Sequence, residues 1–97
     1  MKVCSAIKEK RLMSFMYNGH LRIVIPATHG ALGSVGIEGF RGYQIGGTRD
    51  AGTIPNWGLF HISKMQNFQI LEEGFTELPP LYKREDRGFS KIHCQLT

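Results

Sequence analysis

No apolar run in this 97-residue chain approaches the length of about twenty residues that a membrane-crossing helix needs. The first residues, MKVCSAIKEKR, lack the apolar core of a secretory leader, so cytoplasmic residence away from any membrane is expected. Cysteine is scarce: Cys4 and Cys94 stand near opposite ends, without CxxC spacing. A bridge between them would staple the ends together, yet a chain without an export signal keeps its thiols reduced, so two free thiols are expected. His20, His29, His61 and His93 form no HxxxH or local Cys/His cluster, and a zinc site would need assembly over long range. Structural or surface roles are therefore expected for all six residues, with no metal and no cofactor.

Catalytic frames are lacking too. No carboxylate pair sits in a recognisable acid–base arrangement. His93 adjoins Cys94, but neighbouring strand residues point to opposite faces, which keeps that imidazole from activating the thiol. No catalytic residue is assigned, and an enzyme is not expected.

Glycine, by contrast, is plentiful. The stretch GALGSVGIEGFRGYQIGG, Gly30 to Gly47, contains seven glycines in eighteen residues, five of them at every third position. Collagen would need a longer tract with proline between the glycines, and there is none here. A dinucleotide loop needs GxGxxG between strand and helix, and a P-loop needs GxxxxGK; neither occurs. The GxxG loop of a KH domain belongs in a helical setting, whereas GFRG lies in strand-like alternation. What remains is a bent strand, with glycine at bulges or where another chain segment approaches closely. Val35 and Ile37 are in phase while Phe40 is not, which predicts a bulge near Gly39.

The rest of the pattern is mainly β. Val3 and Ile7, four apart, predict a short N-terminal helix. Met13, Phe15 and Tyr17 alternate before Asn18-Gly19, and Leu21, Ile23 and Ile25 alternate after it. That is the strongest short-range hairpin signal, with a type I′ turn at Asn18-Gly19. Strands are predicted near residues 11–17, 20–27, 34–45, 57–63 and 67–72, with SKIHCQLT adding another. Pro26 confines its strand to an end, a bulge or a sheet edge. One domain of residues 1–97 follows: a small, strongly bent antiparallel barrel with a short N-terminal helix.

Charge is uneven. Residues 1–29 hold five Lys/Arg against one Glu, whereas residues 30–76 hold three against four carboxylates. A net charge of +4 suits an anionic partner, and equally suits a merely soluble surface.

The order AIKEKRLMSFMYNG-HLRIVIP, FRGYQIGGT and WGLFHISKMQNFQIL followed by Phe75 resembles the WYL domain over about residues 5–75. The tail PPLYKREDRGFSKIHCQL is similar to extensions after some members, so the resemblance implies a domain core of about 5–75 and a C-terminal extension at 76–97. The resemblance implies an Sm-like, SH3-type barrel that senses an anionic ligand, a nucleotide or nucleic acid, in transcription regulators and phage or CRISPR defence. It implies a basic pocket of Tyr17, Arg22, Arg41, Tyr43, His61 and Lys64. The family's naming tripeptide falls at Glu38-Gly39-Phe40, and Gly58, His61 and Lys64 stand where arginines are common. The chain carries no helix-turn-helix, so output is expected to pass through a partner protein or homo-oligomerisation. The alternatives are direct binding of single-stranded nucleic acid, by aromatic platforms in a basic groove, and a protein-interaction module that pairs through a sheet edge.

Overall fold

The two residues between the first strands set the register of the sheet. Asn18 and Gly19 take φ of 52° and 78° in the computed structural model, which describes residues 2–97. Two positive φ values in succession make the type I′ turn whose twist matches the flanking strands. Strands β1 (Arg11–Tyr17) and β2 (His20–Leu32) then pair from Tyr17↔His20 to Met13↔Val24. Gly19→Val should cost about 1 kcal/mol or more, because a β-branched side chain resists positive φ. Denaturant unfolding of the variant measures that loss.

Helix α1 (Val3–Glu9) precedes the hairpin and buries Val3, Ala6 and Ile7, the three-and-four spacing of one helix face. It ends at Lys10, whose left-handed conformation (φ 53°) turns the chain into β1. Strands β3 (Ile37–Gly47), β4 (Asn56–His61), β5 (Gln66–Gly74) and β6 (Phe89–Gln95) complete an antiparallel sheet. Its order is β4-β3-β2-β1-β5, with β6 also pairing to β2. A single 3₁₀ turn at Ile62–Lys64 links the terminal strands β4 and β5. The chain is thus mainly β, with the short N-terminal helix and the added C-terminal strand predicted for it. No helix among the described residues is long and apolar enough to cross a membrane.

β2 departs most from expectation. It runs past Pro26 to Leu32, because the register shifts between Pro26↔Gly42 and Thr28↔Arg41 and leaves Ala27 as the extra residue of a bulge. Proline lacks the N–H a ladder needs, so a bulge is where it is tolerated inside a paired strand. Before the bulge, β1 occupies one edge of β2; beyond it, β6 does, from Thr28↔Gln95 to Leu32↔Phe89.

The bulge predicted near Gly39 is absent, since Gly39 pairs in unbroken register with Gly30 and His61. Val35 and Ile37 are exposed (80% and 44%) at the β2–β3 turn, so their phase belongs to solvent rather than the core. Close approach does account for Gly39 and Gly42. A Cβ on Gly39 would lie 2.4 Å from Leu32 Cδ1, and one on Gly42 2.2 Å from Val24 Cγ1. Opposite Gly42, a Cβ on Gly58 would meet the Phe60 ring at 2.6 Å. This glycine pair gives Phe40 and Phe60 room to stack with centroids 5.1 Å apart.

The expectation of two free thiols is corrected: Cys4 and Cys94 are disulfide-bonded, their Cα atoms 5.8 Å apart. Spacing in sequence says nothing of two residues 90 apart that α1 and β6 bring together.

Candidate functional site

Pleating divides the implied pocket residues between two faces. On β3 and β4, Phe40 and Phe60 pair and point into the core. The intervening pairs Gly39↔His61, Arg41↔Leu59 and Tyr43↔Trp57 therefore lie on the outer face. Arg41, Tyr43 and His61 share that face.

The C-terminal extension covers part of it. Residues Leu81 to Arg87, together with Thr28, Arg41 and Trp57, line a cavity of about 670 Å³. Trp57 Nε1 donates to the Pro80 carbonyl at 2.9 Å, and Tyr43 backs the indole with ring centroids 5.2 Å apart. Tyr82 donates its hydroxyl to the Leu96 carbonyl at 2.8 Å, and burial pushes that phenol above its ordinary value. Arg41 meets the Asp86 carboxylate through Nε and Nη2, which fastens the extension to β3. Asp86 also accepts from its own loop at Gly88 N, 2.8 Å away. Four cations, Arg41, Lys83, Arg84 and Arg87, face two carboxylates, Glu85 and Asp86. With Asp86 engaged by Arg41 and Glu85 by Gln95 Nε2 at 2.8 Å, the cavity keeps a positive excess.

The other implied residues have different work. Arg22 is buried (4% exposed), with its guanidinium carbon 5.6 Å and 5.8 Å from the ring centroids of Tyr17 and Phe60. It donates to the Tyr17 carbonyl at 3.0 Å, to Asp50 Oδ2 at 3.3 Å and to Gln44 Oε1 at 3.4 Å. Gln44, fully buried, passes its amide on to the carbonyls of Gly46 and Thr48, both at 2.9 Å. Arg22 therefore ties the β1–β2 hairpin to the loop after β3. Asp50 is the outer anchor of this network. Its carboxyl is held below the ordinary range first by the Asn18 amide, with His20 and Arg22 adding to the effect. Tyr17 is buried and accepts from the His61 backbone N–H at 3.0 Å. Lys64 ends the 3₁₀ turn and is exposed. Of the six residues, the structure brings Arg41 alone to the cavity wall, with Tyr43 directly behind it.

The reading by pattern missed Trp57, Tyr82, Lys83, Arg84, Asp86 and Arg87 as a group. Their signal was the cluster YKREDR, three cations in a six-residue run beside an aromatic.

Beneath α1 lies a separate cluster. His29 Nε2 meets Glu38 Oε2 at 2.8 Å, and His93 Nε2 meets Glu38 Oε1 at 3.3 Å. Burial pulls the His29 imidazole below its ordinary value, outweighing the opposite influence of Glu38.

No family model matches this chain, and no curated protein or solved structure matches it either. Any functional reading therefore rests on these two clusters.

Proposed function

We propose that this chain is a non-catalytic, WYL-like regulatory domain of the cytoplasm that takes a nucleotide-like anion in the cavity between β3–β4 and residues 81–87. One observation carries the reading. Lys83, Arg84 and Arg87, without carboxylate partners among the described residues, line the same cavity as Trp57 and Tyr82. Guanidinium forks recognise phosphate oxygens in pairs, and aromatic faces stack on a base. A volume of about 670 Å³ lies within the range of small-ligand sites. The ligand signal then passes to a partner protein or to a second copy of the chain, in transcription regulation or phage defence.

The runner-up, direct binding of single-stranded nucleic acid, draws on the same cations. Salt separates the two. Calorimetric titration with ADP and with a short oligothymidylate, repeated across salt concentrations, should give a shallow log–log slope for ADP and no tighter binding of the oligonucleotide. A steep slope with preference for the oligonucleotide moves the function to the runner-up, and binding of neither removes both. Arg84→Ala with Arg87→Ala should weaken ADP binding by about tenfold or more, at unchanged thermal stability. Arg41→Ala should weaken it too, while lowering stability by about 1 kcal/mol through loss of the Asp86 tether.

A further inference from the structure

Thr28 and His29 are neighbours on β2 and face opposite ways, Thr28 to the cavity and His29 to α1. The second face holds Cys4 of α1, His29 of β2 and Cys94 of β6, whose Sγ, Nδ1 and Sγ atoms lie within 4.8 Å of one another. His29 Nδ1 is 3.2 Å from Cys4 Sγ and 3.9 Å from Cys94 Sγ. Its other ring nitrogen is fixed on Glu38 at 2.8 Å. We propose that, once the Cys4–Cys94 bridge is reduced, Cys4, Cys94 and His29 bind one divalent cation of the zinc class, with Glu38 orienting His29.

The donor set and its spacing carry this. Two thiolates and an imidazole are the ligands zinc prefers. Metal–sulfur bonds of about 2.3 Å and metal–nitrogen bonds of about 2.0–2.1 Å put sulfur and nitrogen about 3.6 Å apart in a tetrahedron. The two observed sulfur–nitrogen distances straddle that value. The sulfurs have only to part, to about 3.8 Å, and both cysteines are half-buried. Glu38 adds what a simple staple does not need. Accepting the Nε2 proton of His29 leaves the Nδ1 lone pair aimed at both sulfurs, the carboxylate–histidine arrangement that sets the tautomer at metal sites. Three protein donors leave a fourth position for water or an exchangeable ligand.

A dithiol reductant opens the site. One reductant sulfur attacks a bridge sulfur and the Cys4–Cys94 bond breaks. The attacked cysteine is then held in a mixed disulfide with the reductant, while the other leaves as thiolate. The second reductant sulfur attacks the first and displaces the bound cysteine, so two electrons and two protons reach the protein and the reductant leaves as its own disulfide. The cation replaces both thiol protons, which pass to solvent, and neutral His29 donates from Nδ1. Metal occupancy thus follows the redox state of the bridge.

Cobalt(II) titration of the whole chain tests it, because tetrahedral thiolate–cobalt absorbs strongly in the visible and near ultraviolet. The reduced chain should take up one cobalt with both sets of bands, zinc should bleach them, and the oxidised chain should give none. Glu38→Gln, at an exposed carboxylate, should weaken cobalt affinity by about 10–100-fold. Bands of equal strength in the oxidised chain, or none in a reduced and folded chain, overturn the proposal. Circular dichroism follows the fold in the same samples. A reduced chain that has unfolded and refolds as the bands appear supports the site equally, and one that stays unfolded with cobalt present overturns it.

Discussion

Reduction of the Cys4–Cys94 bridge in metal-free buffer is expected to lower the unfolding free energy by about 2–5 kcal/mol. The bridge spans a sequence separation of 90, nearly the whole chain. In the chain-entropy picture a closed loop near that size restricts the unfolded state by more than 4 kcal/mol, at about 4.7 for 100 residues. A domain of this size holds only about 5–15 kcal/mol in total, so the bridge accounts for a large share. At roughly 4–8 °C per kcal/mol, the midpoint of thermal unfolding should fall by at least about 8 °C. The paired variant Cys4→Ser/Cys94→Ser should behave like the reduced protein, and reductant should leave that variant unmoved. Coincident melting curves for oxidised and reduced wild type would sink the expectation. The bridge also fixes α1, whose Val3, Ala6 and Ile7 belong to the main core, so the reduced chain should exchange its α1 amides faster.

Local patterns in the sequence carried most of the strand map. Alternation on both sides of Asn18-Gly19 located β1 and the start of β2 because turn chemistry and pleat are properties of neighbouring residues. The close approach expected for glycines of the Gly30–Gly47 stretch, found at Gly39 and Gly42, was legible because the remaining uses of glycine could be eliminated one by one. Of the end, bulge or edge that Pro26 allows, the structure takes the bulge, at Ala27, which lets β2 continue past the end predicted at residue 27. The site was less legible. A cation in an apolar strand announces that it needs a partner, but not which one: Arg41 finds Asp86, 45 residues on, rather than Glu38, Asp50 or Glu72. Arg22 looked like a strand cation free to meet a ligand, yet it lies over the rings of Tyr17 and Phe60 and donates within the fold, to the Tyr17 carbonyl, Asp50 and Gln44. The Cys4–His29–Cys94 cluster left no trace in spacing because each member comes from a different element. Pairings of this kind depend on how strands stack, which no window of ten residues contains.

Phe15→Ala is expected to cost about 3–5 kcal/mol, at the upper end for a truncated core aromatic. Phe15 is fully buried, and its ring meets Phe40, Phe60 and Tyr17 edge-on with centroids 5.5, 5.1 and 6.2 Å away. Each such pair contributes about 0.5–1.5 kcal/mol beyond the area it buries. Phe40 and Phe60 stack in the space left by Gly42 and Gly58, so neither ring can turn to fill the void without losing its partner. Tyr17 is held by the His61 N–H and by Arg22 above it, which blocks collapse from that side. Phe15→Leu keeps most of the volume and should cost less than about 2 kcal/mol. Urea unfolding distinguishes the variants: with a slope of about 1–3 kcal/mol/M, the alanine midpoint should move by more than 1 M at unchanged slope. The consequence extends to the cavity. Trp57 and Arg41 stand on the strands that Phe60 and Phe40 anchor, so at temperatures where the Phe15→Ala variant remains folded its ADP affinity should fall as well. A loss under about 1 kcal/mol for Phe15→Ala would mean that the four rings do not pack as one unit. The outer face of β3 and β4 would then owe its shape to the Arg41–Asp86 tether and the 81–87 segment instead.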